Sequence, residues 1–194
     1  MKTNQEKARQ LAFVSVLLSL MAFAPYFWKN LSGAVHPNIS SWAVWSFITV
    51  LNFASYKKMT GDWVKSILPT INSCACICTF LSAILTGSIH RLTGIDLICL
   101  IVGMIAGLSW WVFKSASCAQ IVLQIALVIG FVPTIAGTLQ NPSGEFWFSW
   151  LLWTASFVVQ FFVVKTTWRG KIIDLLYPVN MAVFHGAVFI LALR

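Results

Sequence analysis

The sequence predicts an all-α integral membrane protein with seven transmembrane helices, arranged as two parallel three-helix repeats joined by a linker helix. Three observations carry this prediction. Of 194 residues, 59% are hydrophobic and only 9% charged, with a mean hydropathy of +0.84, whereas an ordinary soluble domain is about one-quarter charged. Stretches without Asp, Glu, Lys or Arg run 10–28, 30–56, 66–90, 97–113, 115–144, 146–164 and 175–193, suiting helices that need roughly 17–25 residues to cross a bilayer. The third is a recurrence: "SWAVW" at 41–45 returns as "SWLLW" at 149–153. A transmembrane barrel is rejected because its strands would alternate apolar and polar, and these stretches are continuously apolar.

The first helix is read at 10–28. Its approach, "MKTNQEKARQ", and the "AFA" at 22–24 are similar to a secretory signal with its cleavage site, but the segment has a counterpart later in the chain, which argues for retention. The second helix, 39–56, opens on Ser41-Trp42, and the third, 66–89, holds Pro69 and Asn72. A linker helix at 94–113 contains "GMIAG", whose Gly103 and Gly107 suit close helix packing. The fifth, 117–138, carries Gln120 and Gln124 on one face; the sixth, 146–164, opens on Ser149-Trp150; the seventh, 172–193, holds Pro178, Asn180 and His185.

Sliding the chain by 108 residues superposes Pro25 on Pro133, Ser41 on Ser149, Trp42 on Trp150, Trp45 on Trp153 and Asn52 on Gln160. One more residue of offset brings Gly61 onto Gly170 and Pro69 onto Pro178. A duplication follows: residues 1–93 form the first repeat, 94–116 the linker and 117–194 the second repeat. Three crossings invert the chain and the linker restores its direction, so the repeats are parallel, related by an axis along the membrane normal.

The formal charge of +8 needs no nucleic acid to explain it. Ten Lys and Arg (2, 7, 9, 57, 58, 65, 114, 165, 169, 171) fall on one side of a seven-span chain and three (29, 91, 194) on the other. This bias places the N-terminus in the cytoplasm and the C-terminus outside, in a cell membrane of the bacterial inner-membrane type. The ten Trp lie in loops or within about two turns of a helix end, so most are read as interfacial anchors. Five Cys (74, 76, 78, 99, 118) are read as small apolar side chains. "CACIC" lacks a nearby His or acidic partner, so neither a metal nor any other cofactor is expected. No paired carboxylates or Ser/His/Asp set can be assembled at membrane depth, which argues against an enzyme.

Pro25 and Pro133 each weaken one turn of a first helix, leaving two readings, a hinge or a static kink. Asn52 and Asn72 lie at ~6 and ~9 Å from the inner helix ends at 1.5 Å per residue, with Gln160 and Asn180 in the corresponding places. These four amides either converge on a solute or tie helices together. His185, deep in its span, is read as a proton-coupling group or as a neutral ring bonded to a backbone carbonyl. Asp96 and Asp174, near helix ends, are expected to reach headgroups. Pro69 and Pro178 are placed in first turns, where Pro fits without strain.

A Pro late in the first helix, a loop, then Ser-Trp opening the second, all duplicated about a linker, resembles the PQ-loop superfamily that includes the SWEET sugar transporters. Here Pro25-Tyr26 and Pro133-Thr134 stand where that family has Pro-Gln. The resemblance implies gating about Pro25 and Pro133, with solute bound between two three-helix bundles. Asn72 and Asn180 resemble the family's third-helix Asn. Vitamin transporters of the nicotinamide riboside type are similar in plan. The expected function is transport of a small polar, largely neutral solute by alternating access, the lipid bilayer being the other partner. A non-transporting receptor or scaffold on the same fold is the alternative.

Overall fold

In the computed structural model, which describes residues 2–35, 37–86, 94–113, 115–168 and 170–194, the chain is helical throughout its described elements. They are α1 (Lys2–Leu31), α2 (Ile39–Thr60), α3 (Trp63–Leu85), α4 (Gly94–Phe113), α5 (Ala116–Gln140), a short 3-10 turn (Pro142–Gly144), α6 (Trp147–Thr166) and α7 (Ile173–Ala192). Arg91, Lys114 and Arg169, and the side chains of Lys2, Asp96, Cys99, Gly103 and Trp110, lie outside the described residues.

Five helices, α1, α3, α5, α6 and α7, are long and apolar enough to cross a membrane. In α2 the buried face is polar, with Ser40, Ser41, Ser46, Thr49, Asn52 and Ser55 turned inward, so its hydropathy is lower although most of the helix is enclosed.

Local chemistry sets the helix ends. Asn38 caps α2 through a bond from Ser41 N to its Oδ1, 2.9 Å, and Asp62 caps α3 by accepting from Val64 N and Lys65 N. Gly61 and Gly170 have φ of 64° and 85°. At both the chain leaves one helix for the next through a left-handed residue, where a side chain would be strained.

Neighbour relations define the architecture. α3 lies between α1 and α2, whose backbones do not meet, and α7 lies between α5 and α6, which likewise do not meet. α1 packs on α6 and α2 on α5, closing the ring α1–α3–α2–α5–α7–α6. α4 stands outside it against α5 and α2, where Gly107 fits beneath Phe47: a Cβ there would come within 2.9 Å of that ring.

The α1–α6 seam shows why these residues pack. α1 buries Ala8, Ala12, Ser15, Ser19, Ala22, Tyr26 and Asn30 at spacings of three or four, one helical stripe, and its first five members are small, which lets backbones approach. Ser15 Oγ donates to Ser156 O at 2.9 Å and Ser156 Oγ returns a bond to Ser15 O at 2.8 Å. Opposite the stripe, Phe13, Leu17 and Met21 are exposed, as lipid-facing side chains would be.

Pro69 and Pro178 are not in first turns. α3 begins at Trp63 and α7 at Ile173, so both prolines are internal. The first turns extend beyond the apolar stretch because the charged residues Lys65 and Asp174 are themselves helical and buried. An internal Pro frees the carbonyl four residues earlier, here Lys65 O and Asp174 O. Each finds a partner on the second helix of the other three-helix group: Gln160 Nε2 donates to Lys65 O at 2.7 Å, and Tyr56 Oη to Asp174 O at 2.8 Å. Gln160→Leu or Tyr56→Phe leaves one such carbonyl unpaired, and each should cost roughly 1–3 kcal/mol, read as a lowered unfolding midpoint in detergent. Leu at the exposed Val158 of α6 serves as the neutral control.

Candidate functional site

At the centre of the ring is a cavity lined by Phe23, Trp42, Trp45, Thr49, Asn72, Cys76, Leu127, Phe131, Trp150, Trp153, Phe157, Tyr177, Met181 and His185. All six ring helices contribute. Its volume is about 40 Å³, room for about two or three waters. No charged side chain lines it.

The two Trp motifs build most of the wall. Trp42, Trp45, Trp150 and Trp153 are 1–5% exposed, with ring centroids 5.2 Å apart for Trp42–Trp45 and 5.0 Å for Trp150–Trp153. These four are exceptions to the reading of most Trp as interfacial anchors. Trp28, Trp63, Trp111, Trp147 and Trp168 are exposed near helix ends, but the motif Trp face inward. Distance from a helix end sets depth and not direction, and residues i and i+3 share a face. The Ser of each motif orients that face: Ser149 Oγ donates to Ala22 O at 2.7 Å, in the turn before Pro25, and Thr134 Oγ1, next to Pro133, donates to Ser41 Oγ at 3.0 Å. Gly130 leaves room for Trp45, whose Nε1 would stand 2.8 Å from a Cβ there.

Two indole N–H groups are without a partner among the described residues. Trp45 Nε1 and Trp153 Nε1 are buried and unbonded, and they are the same position of the two motifs. A buried donor left unpaired carries a desolvation penalty; both are sealed from the cavity's open space, and Trp45 Nε1 lies against Gly130 of α5.

The four carboxamides do not form one cluster. Asn72 lines the cavity, its Oδ1 accepting from Ser19 Oγ at 2.6 Å. Asn52 is fully buried between α2 and α5, its Oδ1 accepting from Gln120 Nε2 and Gln124 Nε2, each at 2.8 Å, while its Nδ2 is unbonded. Asn180 Nδ2 donates to Gln124 Oε1 at 3.2 Å, behind α5. Gln160 is occupied with the Lys65 carbonyl. The divergence of Asn72 and Asn180 has a geometric cause: they stand three and two residues after their prolines, and one residue is about 100° of helix rotation. Met181 takes the place facing the cavity.

Pro25 and Pro133 lie inside continuous helices, each beside a motif Ser contact. His185 faces the cavity with Nδ1 donating to Met181 O at 2.7 Å, and its ring lies against Phe131, Trp150, Trp153 and Phe157. Cys76, one of the five Cys, is buried at this wall, while Cys74, Cys78 and Cys118 are on the outer surface.

Both ends of the cavity are shut by polar contacts between the two three-helix groups. At one end Lys65 Nζ lies 3.7 Å from Asp174 Oδ2, with side chains 3% and 4% exposed, and Lys65 Nζ donates to Thr167 O at 3.3 Å. Lys65 was counted as a loop charge and Asp174 as reaching headgroups; they pair inside instead, because the helices start earlier than the apolar stretches. At the other end Glu145 Oε2 accepts from Tyr26 Oη and Trp150 Nε1, each at 2.9 Å. Glu145 was absent from the sequence-level candidates, since a lone loop carboxylate carries no spacing signal. Compared with family models, curated proteins and solved structures, the chain shows no match, and the site is read from its geometry.

Proposed function

We propose that the protein is a seven-span membrane transporter for a small polar, largely neutral solute, sugar-like or nucleoside-like, moved by alternating access between α1–α3 and α5–α7 with α4 as linker. The observation that carries this reading is the central cavity, walled by six helices and closed at both ends by contacts between the two groups. Of its fourteen lining residues, twelve pair across the repeat: Phe23/Phe131, Trp42/Trp150, Trp45/Trp153 and Thr49/Phe157 at an offset of 108, Asn72/Met181 and Cys76/His185 at 109. Opposed units of like structure are what a rocking mechanism needs. The lining fits a solute with a flat face for the Trp rings and a polar group for the Asn72 amide. On the charge bias, the Lys65–Asp174 closure faces the cytoplasm and the Glu145 closure the outside. Pro25 and Pro133 serve as hinges. The amides divide the work, with Asn72 contacting solute and Asn52, Gln160 and Asn180 holding helices.

The test is a thermal-shift screen of the purified protein against sugars, nucleosides and ring-bearing vitamins, followed by counterflow of any stabilising compound in proteoliposomes. A solute that raises the melting temperature and exchanges across the bilayer supports the proposal. An unmoved melting temperature and no flux across the panel would sink it.

A further inference from the structure

Glu145 lies in the turn between the 3-10 segment and α6 and is only 9% exposed. Its Oε2 holds Tyr26 of α1 and Trp150 of α6 together. Among the described residues nothing bonds Oε1, and the carboxyl group lines a separate cavity of about 180 Å³ whose walls include Asn38, Thr134, Thr138 and Asn141. Tyr26 directly follows Pro25, and Trp150 is a wall of the central cavity, so this one group stands between a hinge turn, the solute chamber and a polar vestibule.

We infer that Glu145 is a proton-binding latch: with the mouth shut its buried carboxyl group takes up a proton, and when α1 parts from α6 it meets water and releases that proton. This rests on the proposal that the two groups of helices move against each other. Oε1 is the oxygen that receives the proton, because it can do so without breaking either existing bond.

The energetics agree with the geometry. Burial pushes the carboxyl group from an ordinary 4.5 up to about 7, against the opposing pull of the bonds from Trp150 and Tyr26; exposure in an open mouth returns it toward the ordinary value. The closed form therefore binds the proton more tightly, and acid favours closure. For one such group the closed-to-open ratio rises roughly 25-fold between about pH 8 and about pH 5.5.

Every element around Glu145 is accounted for. α1 brings Tyr26 and Lys29, whose Nζ lies 4.5 Å over the Phe146 ring; α2 brings Asn38, α5 brings Thr134, Thr138 and Asn141, and α6 brings Trp150. α7 touches the 3-10 turn and carries His185, 5.4 Å from Trp150 between ring centroids. His36 and His90 lie outside the described residues, so the test includes them.

Hydrogen exchange of residues 23–30 and 142–150, measured in nanodiscs without solute and normalised for intrinsic rate, reads the latch. Wild type should become more protected as the pH falls below about 7, levelling off toward the ordinary 4.5 of the exposed group. Glu145→Gln should be protected at every pH, Glu145→Ala unprotected at every pH, and a His36→Gln/His90→Gln double variant should titrate as wild type. A flat wild-type profile, a transition that survives in Glu145→Gln, protection retained in Glu145→Ala, or a transition lost with the two histidines would each overturn the assignment. A protein that titrates in this way but moves no solute would sink the transport proposal and leave the latch standing, and transport without the titration would do the reverse.

Discussion

Lys65→Met should lower stability by roughly 3–5 kcal/mol, because it strands Asp174 as an uncompensated buried charge. Asp174 already has one oxygen, Oδ1, without a partner, and Lys65 is its only ion-pair partner among the described residues. Removing both charges reverses the sign: a Lys65→Met/Asp174→Leu double variant should be as stable as wild type or up to about 4 kcal/mol more stable, since the desolvation cost of both ions is relieved. Unfolding of the two variants in a graded denaturing detergent checks the contrast. If the pair also closes the cytoplasmic end, the double variant should show faster labelling by a cytoplasmic-side thiol reagent at a cysteine introduced at Thr167. Equal losses in the single and double variants would show that the two residues contribute by packing rather than as a pair.

Trp45→Phe and Trp153→Phe should each leave the protein at least as stable as wild type. Each change keeps a ring in the wall but removes a buried N–H that lacks a partner. The solute-free protein should be no less stable, and more stable by up to about 1–3 kcal/mol where relief of the orphaned donor outweighs the lost ring area. Trp150→Phe is the contrast: its indole donates to Glu145, so removing it should destabilise the solute-free protein. Melting temperatures of the three variants without solute separate these outcomes. A fall in solute-free stability for both Trp45→Phe and Trp153→Phe would mean that their N–H groups are satisfied already.

Much of the architecture was legible from composition and periodicity. Most helix ends fall within a few residues of the ends of the uncharged stretches, but α1 begins at Lys2, well before residue 10, and α2 at Ile39, well after residue 30. Hydropathy marks where charge becomes tolerable, and α3 continues past that point because Asp62 caps it and Lys65 finds a buried partner in Asp174. The recurrence of Pro, Ser-Trp and Gly pointed to the residues that matter, but not to their tasks. Asn52, Asn72, Gln160 and Asn180 were equivalent as polar groups at similar depth, and the structure separates them: Asn52 and Asn180 both bond Gln124, Asn72 meets Ser19, and Gln160 meets the Lys65 carbonyl. The task of Gln160 was in principle readable, because Pro69 frees a carbonyl that something must satisfy, but not which residue supplies the donor.

The sequence by itself determined that this chain is helical and apolar enough to span a membrane, because those properties depend on local residue chemistry and on short-range spacing. Only the tertiary structure decided that α3 and α7 lie in the middle of their groups, that the four motif Trp face one small chamber, and that Lys65 meets Asp174 while Tyr26 and Trp150 meet on Glu145. Those outcomes depend on the rotation of each helix about its axis and on contacts between residues more than a hundred positions apart, which no single-helix pattern encodes.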